Sequence, residues 1–237
     1  MLPKIDVPVY EIKLPSTGEF IKFRPFTVKE EKLFLMAYES DDAKYSVDTI
    51  IQVLNNCIIS DIDIKDLPTF DIEYLFLNIR GKSVGETAEV LITCPDDGQT
   101  QVPVTINLDD IKVEVNDEHS RDIQLDDNLS VRMKYPSIQE FIKNNFIRND
   151  QISVDDTFGI ITSCVEQIYN EEESWSASDC TKKELADFLE SLSSKQFKKI
   201  EKFFETMPKL SHTINVKNPN TGLENKIVLE GLTSFFA

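Results

Sequence analysis

The order of local patterns in this chain recurs about 110 residues on, and any fold must accommodate that order twice. Tyr10-Glu11-Ile12-Lys13-Leu14 alternates in strand fashion, turns at Pro15-Ser16-Thr17-Gly18 and returns as Phe20-Ile21-Lys22-Phe23-Arg24. Later, Asp122-Ile123-Gln124-Leu125 turns at Asp126-Asp127-Asn128 and returns through Leu129 to Lys134. A helix start follows each hairpin: Thr27-Val28-Lys29-Glu30 in the first case, Ser137-Ile138-Gln139-Glu140 in the second. Both are capping-box patterns, in which a hydroxyl and a Glu three residues on satisfy two orphan backbone N–H groups. A second helix begins at Ser46-Val47-Asp48 and at Ser153-Val154-Asp155, and the same spacing leads to Cys57 and to Cys164. A third helical region follows. It covers Phe70 to Ile79 in the first half. In the second, a further box (Thr181 with Glu184) opens Leu185 to Leu192, and another helix runs from Ser194 to Thr206 until Met207-Pro208 stops it.

Each half then closes in a second hairpin. Ala88–Thr93 and Val102–Leu108 flank Cys94-Pro95-Asp96-Asp97-Gly98, and Thr213–Lys217 and Lys226–Leu229 flank Asn218-Pro219-Asn220-Thr221-Gly222. Both tips read x-Pro-x-x-Gly. The expected fold is α+β, with two tandem similar halves at residues 1–118 and 119–237. Each half holds a β-hairpin, about three helices and a second β-hairpin, and the acidic stretch Asp109 to Asp122 joins them. Two unrelated halves sharing common turn chemistry would give the same pattern without a duplication.

Cys-Pro-x-Cys-Gly between two strands is a zinc knuckle, and two knuckles complete one tetrahedral site. The four ligand positions here are Cys94, Asp97, Asn218 and Thr221, with one thiol among them. These hairpins are therefore expected to be knuckle-like in shape and metal-free. A plain Pro-containing turn is the alternative. No cofactor is expected.

Composition narrows the function. Asp and Glu number 42 against 25 Lys and Arg, a formal charge of -17 with no local basic patch, which disfavours nucleic acid and anionic membrane surfaces as partners. No segment reaches the ~18 apolar residues of a membrane span, and the N-terminus is not expected to be a signal peptide. Four scattered cysteines fit free thiols in a reducing cytoplasm. Cys57 and Cys164 lie on apolar helix faces and are expected to be buried and structural.

No catalytic residue is expected. None of the seven glycines forms the Gly-x-Gly of a nucleotide-binding loop. His119 and His212 are expected to be surface or structural residues. Two segments stand out as candidate partner contacts. Trp175 sits in the polar stretch Glu171 to Ser176, expected to be an inserted loop, and Phe235 and Phe236 end an apolar tail. Either segment could instead pack on its own core.

Three stretches resemble a known family, the baseplate hub proteins of T4-like bacteriophages. They are Phe23-Arg24-Pro25-Phe26-Thr27 before a Glu- and Lys-rich helix, Ile79-Arg80-Gly81-Lys82-Ser83-Val84-Gly85-Glu86 before the first tip, and Met207-Pro208-Lys209-Leu210 through to Leu229-Glu230-Gly231-Leu232-Thr233-Ser234-Phe235-Phe236. The resemblance implies a non-enzymatic tail baseplate protein, either a hub subunit or a hub assembly factor. Its expected partners are other tail proteins, in a quasi-symmetric or oligomeric assembly. It would be found in the host cytoplasm during assembly or in the virion. The readings from other classes are a cytoplasmic adaptor unrelated to phage and a carboxylate-based metal-dependent hydrolase.

Overall fold

The computed structural model describes residues 6–40, 43–137 and 154–231. They form two compact units, one from the described residues up to 114 together with those from 209 on, the other from the described residues between 115 and 208.

The first unit opens with β1 (Tyr10–Lys13) paired antiparallel to β2 (Phe20–Phe23). Ile21 and Phe23 point inward and Phe20 and Lys22 outward, the period of two that the sequence carries. Helices α1 (Val28–Ser40) and α2 (Ala43–Cys57) follow. Val53, Leu54 and Cys57 are fully buried on α2, at the 3–4 spacing of a core-facing stripe. Helix α3 (Thr69–Val84) runs five residues past the predicted Ile79. Phe70, Ile72, Leu75, Leu77 and Ile79 are all buried, so it is covered on more than one face.

Two sheets complete this unit. β3 (Thr87–Thr93) pairs with β4 (Gln101–Asn107). β10 (Lys209–Lys217) lies between β11 (Glu224–Glu230) and β5 (Lys112–Glu114). Val90, Ile92, Ile106, Ile214, Val216 and Leu77 belong to one core cluster, so the inner faces of both sheets and α3 share a core. Both x-Pro-x-x-Gly hairpins therefore fall in one compact unit. The compact units and the sequence halves are different divisions of the chain. The acidic junction also holds a strand, β5.

The second unit is a four-stranded sheet with helices packed on its apolar face. The strands are β6 (Asp122–Gln124), β7 (Ser130–Met133), β8 (Val165–Tyr169) and β9 (Ser174–Ser176), in that order. The helices are α4 (Val154–Ser163), α5 (Lys182–Ser191) and α6 (Ser194–Thr206). Val131, Met133, Cys164, Val165, Leu189 and Ile200 are at most 1% exposed in its core. Of Glu171 to Ser176, expected to be a loop, the first three residues form a turn and Ser174–Ser176 form β9, paired with β8. Val165 and Ile168 are buried on β8, and Asn170 closes a tight turn by donating its N–H to the Glu173 carbonyl at 2.9 Å. Three successive glutamates hid this hairpin from the apolar alternation.

The helix starts follow their capping chemistry. Thr181 and Glu184 form the full box, and so do Ser193 and Gln196, a pair that the sequence reading passed over. At α1 the Glu30 carboxylate accepts from the Thr27 N–H at 2.9 Å and hydroxyl at 2.7 Å. The Glu30 N–H bonds the Thr27 carbonyl oxygen instead of its hydroxyl. The proposed box at Ser137 reaches Glu140, which lies outside the described residues, as does the Ser153 helix start.

The two sequence halves repeat one backbone latch. The Arg24 N–H donates to the Cys57 carbonyl at 2.9 Å, and the Lys134 N–H to the Cys164 carbonyl at 2.7 Å. Phe23 bridges Ile58 as Met133 pairs with Val165. In each half the residue ending the first hairpin meets the residue after the cysteine.

Candidate functional site

The two hairpin tips meet. In each, the glycine N–H turns back onto the first residue of the motif: Gly98 donates to Cys94 and Gly222 to Asn218, both at 2.9 Å. Gly98 and Gly222 have φ of 66° and 77°, a backbone that a residue with a Cβ enters at a cost. Prolines fix the preceding bend. The two glycines and prolines thus present the intervening side chains of each tip to the other.

Between the tips runs a hydrogen-bonded clasp. The Asn218 amide donates to Asp96 Oδ1 at 2.9 Å, to Asp96 Oδ2 at 3.1 Å and to Asp97 Oδ2 at 3.0 Å. The Thr221 hydroxyl donates to Asp96 Oδ2. Asn225, on β11, donates to Asp96 Oδ1 at 3.0 Å, and Asn220 to the Thr100 hydroxyl at 2.9 Å. Asn218 is fully buried, and its own oxygen accepts from the Asn220 N–H at 2.8 Å. Cys94 is fully buried in the cluster that holds Val216.

Of the four ligand positions read from the sequence, Asp97 and Asn218 bond directly and Thr221 joins them through Asp96. Asp96 and Asn225 were missed. Asp96 occupies the variable position of the knuckle pattern, and nothing in a one-dimensional motif marks it as the centre. The contacts hold both carboxylates ionised. Donation from Asn218 and Thr221 pulls Asp96 below the usual carboxylate range, against some burial and the neighbouring Asp97 charge. Asp97 is lowered by the Thr100 hydroxyl and N–H, then by Asn218. Burial, with both carboxylates beside it, raises the Cys94 thiol. Among the described residues, no group of three or more His, Cys, Asp and Glu side chains is placed to hold a metal ion.

Other titratable groups serve the packing. Glu30 is fully buried and paired with Arg24 at 3.0 Å. Asp71, also fully buried, accepts from the Ser16 N–H at 3.1 Å and from its hydroxyl. Burial pushes the Cys57 thiol up to about 11. His119 is wedged among aromatic rings, 5.6 Å from Tyr135 and 5.1 Å from Phe203. Its ring nitrogens meet Thr206 and Tyr135. Trp175 is 41% exposed on β9, in a strand and not in the expected loop. Phe235 and Phe236 lie outside the described residues. Among the described residues, no helix is long and apolar enough to cross a membrane.

These features describe an α+β protein in which the buried carboxylates of Glu30 and Asp71 are hydrogen-bonded to neighbouring side chains and backbone. Residues 7–237 match the family of T4 bacteriophage base plate proteins, and the chain belongs to that family. It is 24% identical over 230 residues to the baseplate hub assembly protein gp26 of Enterobacteria phage T4, an alignment that covers 96% of this chain and 97% of that one. No solved structure matches it.

Proposed function

We propose that this chain is a non-enzymatic factor in assembly of the bacteriophage baseplate hub, acting by contact with other tail proteins in the host cytoplasm. The observation that carries the reading is the near end-to-end relationship to a hub assembly protein. The structure agrees with it. Among the described residues the fully buried carboxylates, Glu30 and Asp71, are engaged by Arg24, Thr27 and Ser16. The charge of -17 favours basic protein partners and disfavours nucleic acid and anionic membranes.

The same reading takes residues 1–118 and 119–237 as duplicated α+β repeats whose terminal hairpins are zinc knuckles without zinc. The repeated latch at Cys57 and Cys164 and the two tips built on matching turns support it. The clasp around Asp96 holds the tips together in the role that a metal has in a true knuckle pair. Two similar repeats let one chain meet two quasi-equivalent neighbours in a ring.

Deleting the gene from the phage tests the function. Hubs should fail to assemble, and mass spectrometry of purified wild-type particles should lack the chain. Its recovery at one copy per hub position would make it a hub subunit instead.

A further inference from the structure

We infer that the open edge of β9 is a strand-addition site for an extended basic segment of a partner protein, seated over Trp175. The inference rests on the assembly reading and says which surface acts.

The register defines the edge. Among the described residues β9 pairs with β8 alone. The Asn170–Glu173 pair is hydrogen-bonded across the turn, and antiparallel pairs alternate. Ile168 with Trp175 is then the next bonded pair. Ser174 therefore turns its N–H and C=O, and Ser176 its N–H, away from β8, where an added strand can bond them, while the Ser176 carbonyl opens the 3-10 turn Ala177–Asp179.

The face of the sheet says what that strand should carry. Ile123 lies opposite Val131, Val131 opposite Ile168, and Ile168 opposite Trp175. These four stand in one row across the sheet at 8%, 0%, 7% and 41% exposure. The core row is closed until its last member. A fifth strand would set one side chain beside Trp175 at the closer, non-hydrogen-bonded spacing, and an apolar group there completes the row.

Charge selects the flank. Glu171, Glu172 and Glu173 are exposed in the adjoining turn, and no ion pair engages them among the described residues. The neighbouring cation, Arg132, is bound to Asp122 at 2.8 Å. Basic residues two or three places from the apolar one would meet this turn, and a guanidinium can also stack on the indole. The edge spans three residues, so few backbone bonds form and the contact is reversible, as a factor that departs from its product requires.

Trp175 is the one tryptophan of the chain, so its emission reports on this edge alone. The probe is a synthetic peptide, Thr-Thr-Val-Thr-Arg-Arg, titrated against the full chain and compared with the same peptide ending in two glutamates. A saturable blue shift is expected, with the arginine peptide binding at least ten-fold tighter and weakening as salt rises. Ser176→Pro should weaken it about ten-fold with only a small drop in the thermal unfolding midpoint. The lost hydroxyl cap on Ser178 accounts for that drop, and Ser176→Ala, which keeps the N–H and the binding, should share it. Ser176 already has φ of -74°, which suits proline, and the lost N–H faces outward. Replacing the three turn glutamates by glutamine, a surface change, should bring both peptides to similar affinity. No saturable shift, equal binding of the two peptides, or full binding by Ser176→Pro would overturn the site. In phage, Ser176→Pro with normal hub yield also overturns it while leaving the assembly role standing. Normal hubs without the gene overturn the assembly role itself.

Discussion

Asn218, on the tip between β10 and β11, donates to both carboxylate oxygens of Asp96, on the tip between β3 and β4, across 122 residues of sequence. Asn218 is fully buried, so its amide has given up water and depends on these acceptors. Asn218→Ala is expected to lower stability by about 1.5–3 kcal/mol, the range for hydrogen bonds to charged groups. Asn218→Asp should cost more at neutral pH, since it sets a third carboxylate against Asp96 and Asp97. Urea unfolding of the three chains checks both, and the Asp variant should recover part of its loss in mild acid.

The knuckle reading makes a separate prediction. Cys94 already stands at the first ligand position. Asp97→Cys, Asn218→Cys and Thr221→Cys together would supply the other three thiols. The triple variant is expected to bind one zinc, and cobalt(II) should give the strong visible bands of a tetrahedral thiolate site. A triple variant that folds and binds neither would show that the tips are plain turns. Wild type should bind neither.

Much of this architecture was legible because it rests on local signals. The hairpins at Tyr10 and Asp122, the Thr181 box and the x-Pro-x-x-Gly tips each lie within a short window. What stayed hidden depends on distant partners. β5 pairs with β10 some 95 residues on, a register no local pattern encodes. The β8–β9 hairpin was masked by Glu171 to Glu173, whose charges suit a tight turn as well as a loop. The four knuckle positions were named from spacing, but the centre of the clasp, Asp96, emerges only once two hairpins meet.

Glu30 and Arg24 tie the start of α1 to the end of β2, and the tie is sensitive to acid. Burial pushes the Glu30 carboxyl up, but the Arg24 guanidinium and the Thr27 N–H and hydroxyl outweigh it and hold the group at about 2, against an ordinary 4.5. A depressed carboxylate stabilises the fold fully above its unfolded pKa and loses that contribution as pH falls toward the folded one. The window is therefore between 4.5 and about 2, and the contribution at neutral pH is on the order of 3 kcal/mol. Glu30→Gln should show a shallower loss of stability than wild type across that window in acid titrations followed by circular dichroism.

Asp71 has the opposite sign. Burial raises its carboxyl above the usual 3.8, and the two bonds from Ser16 offset this only in part. A raised carboxyl pKa means that the folded state holds its proton more tightly. Its relative contribution is best in acid and declines as pH rises through the folded pKa. Asp71→Asn keeps an oxygen for the Ser16 N–H without a buried charge. It should leave stability at neutral pH unchanged or raised. Asp71→Leu strands that N–H and should lower it by about 1–3 kcal/mol.

His119 carries the last prediction, and its tautomer follows from its neighbours. The Thr206 hydroxyl donates its proton to the Lys202 carbonyl at 2.7 Å, so it can only accept from His119. Nδ1 therefore bears the hydrogen, at 2.9 Å from Thr206, and Nε2 accepts from the Tyr135 hydroxyl at 3.0 Å. Both bonds suit the neutral ring, which is stacked on Tyr135. Burial, and then the Arg121 charge, lowers the pKa below its ordinary 6.5. Because the unfolded chain takes up this proton first, stability is retained above 6.5 and lost as pH falls below it toward the folded value. His119→Phe keeps the aromatic stacking and removes the proton site. The stability advantage of wild type over this variant should therefore shrink between pH of about 7.5 and about 5. An NMR titration of the His119 ring giving a pKa at or above 6.5 would contradict the assignment.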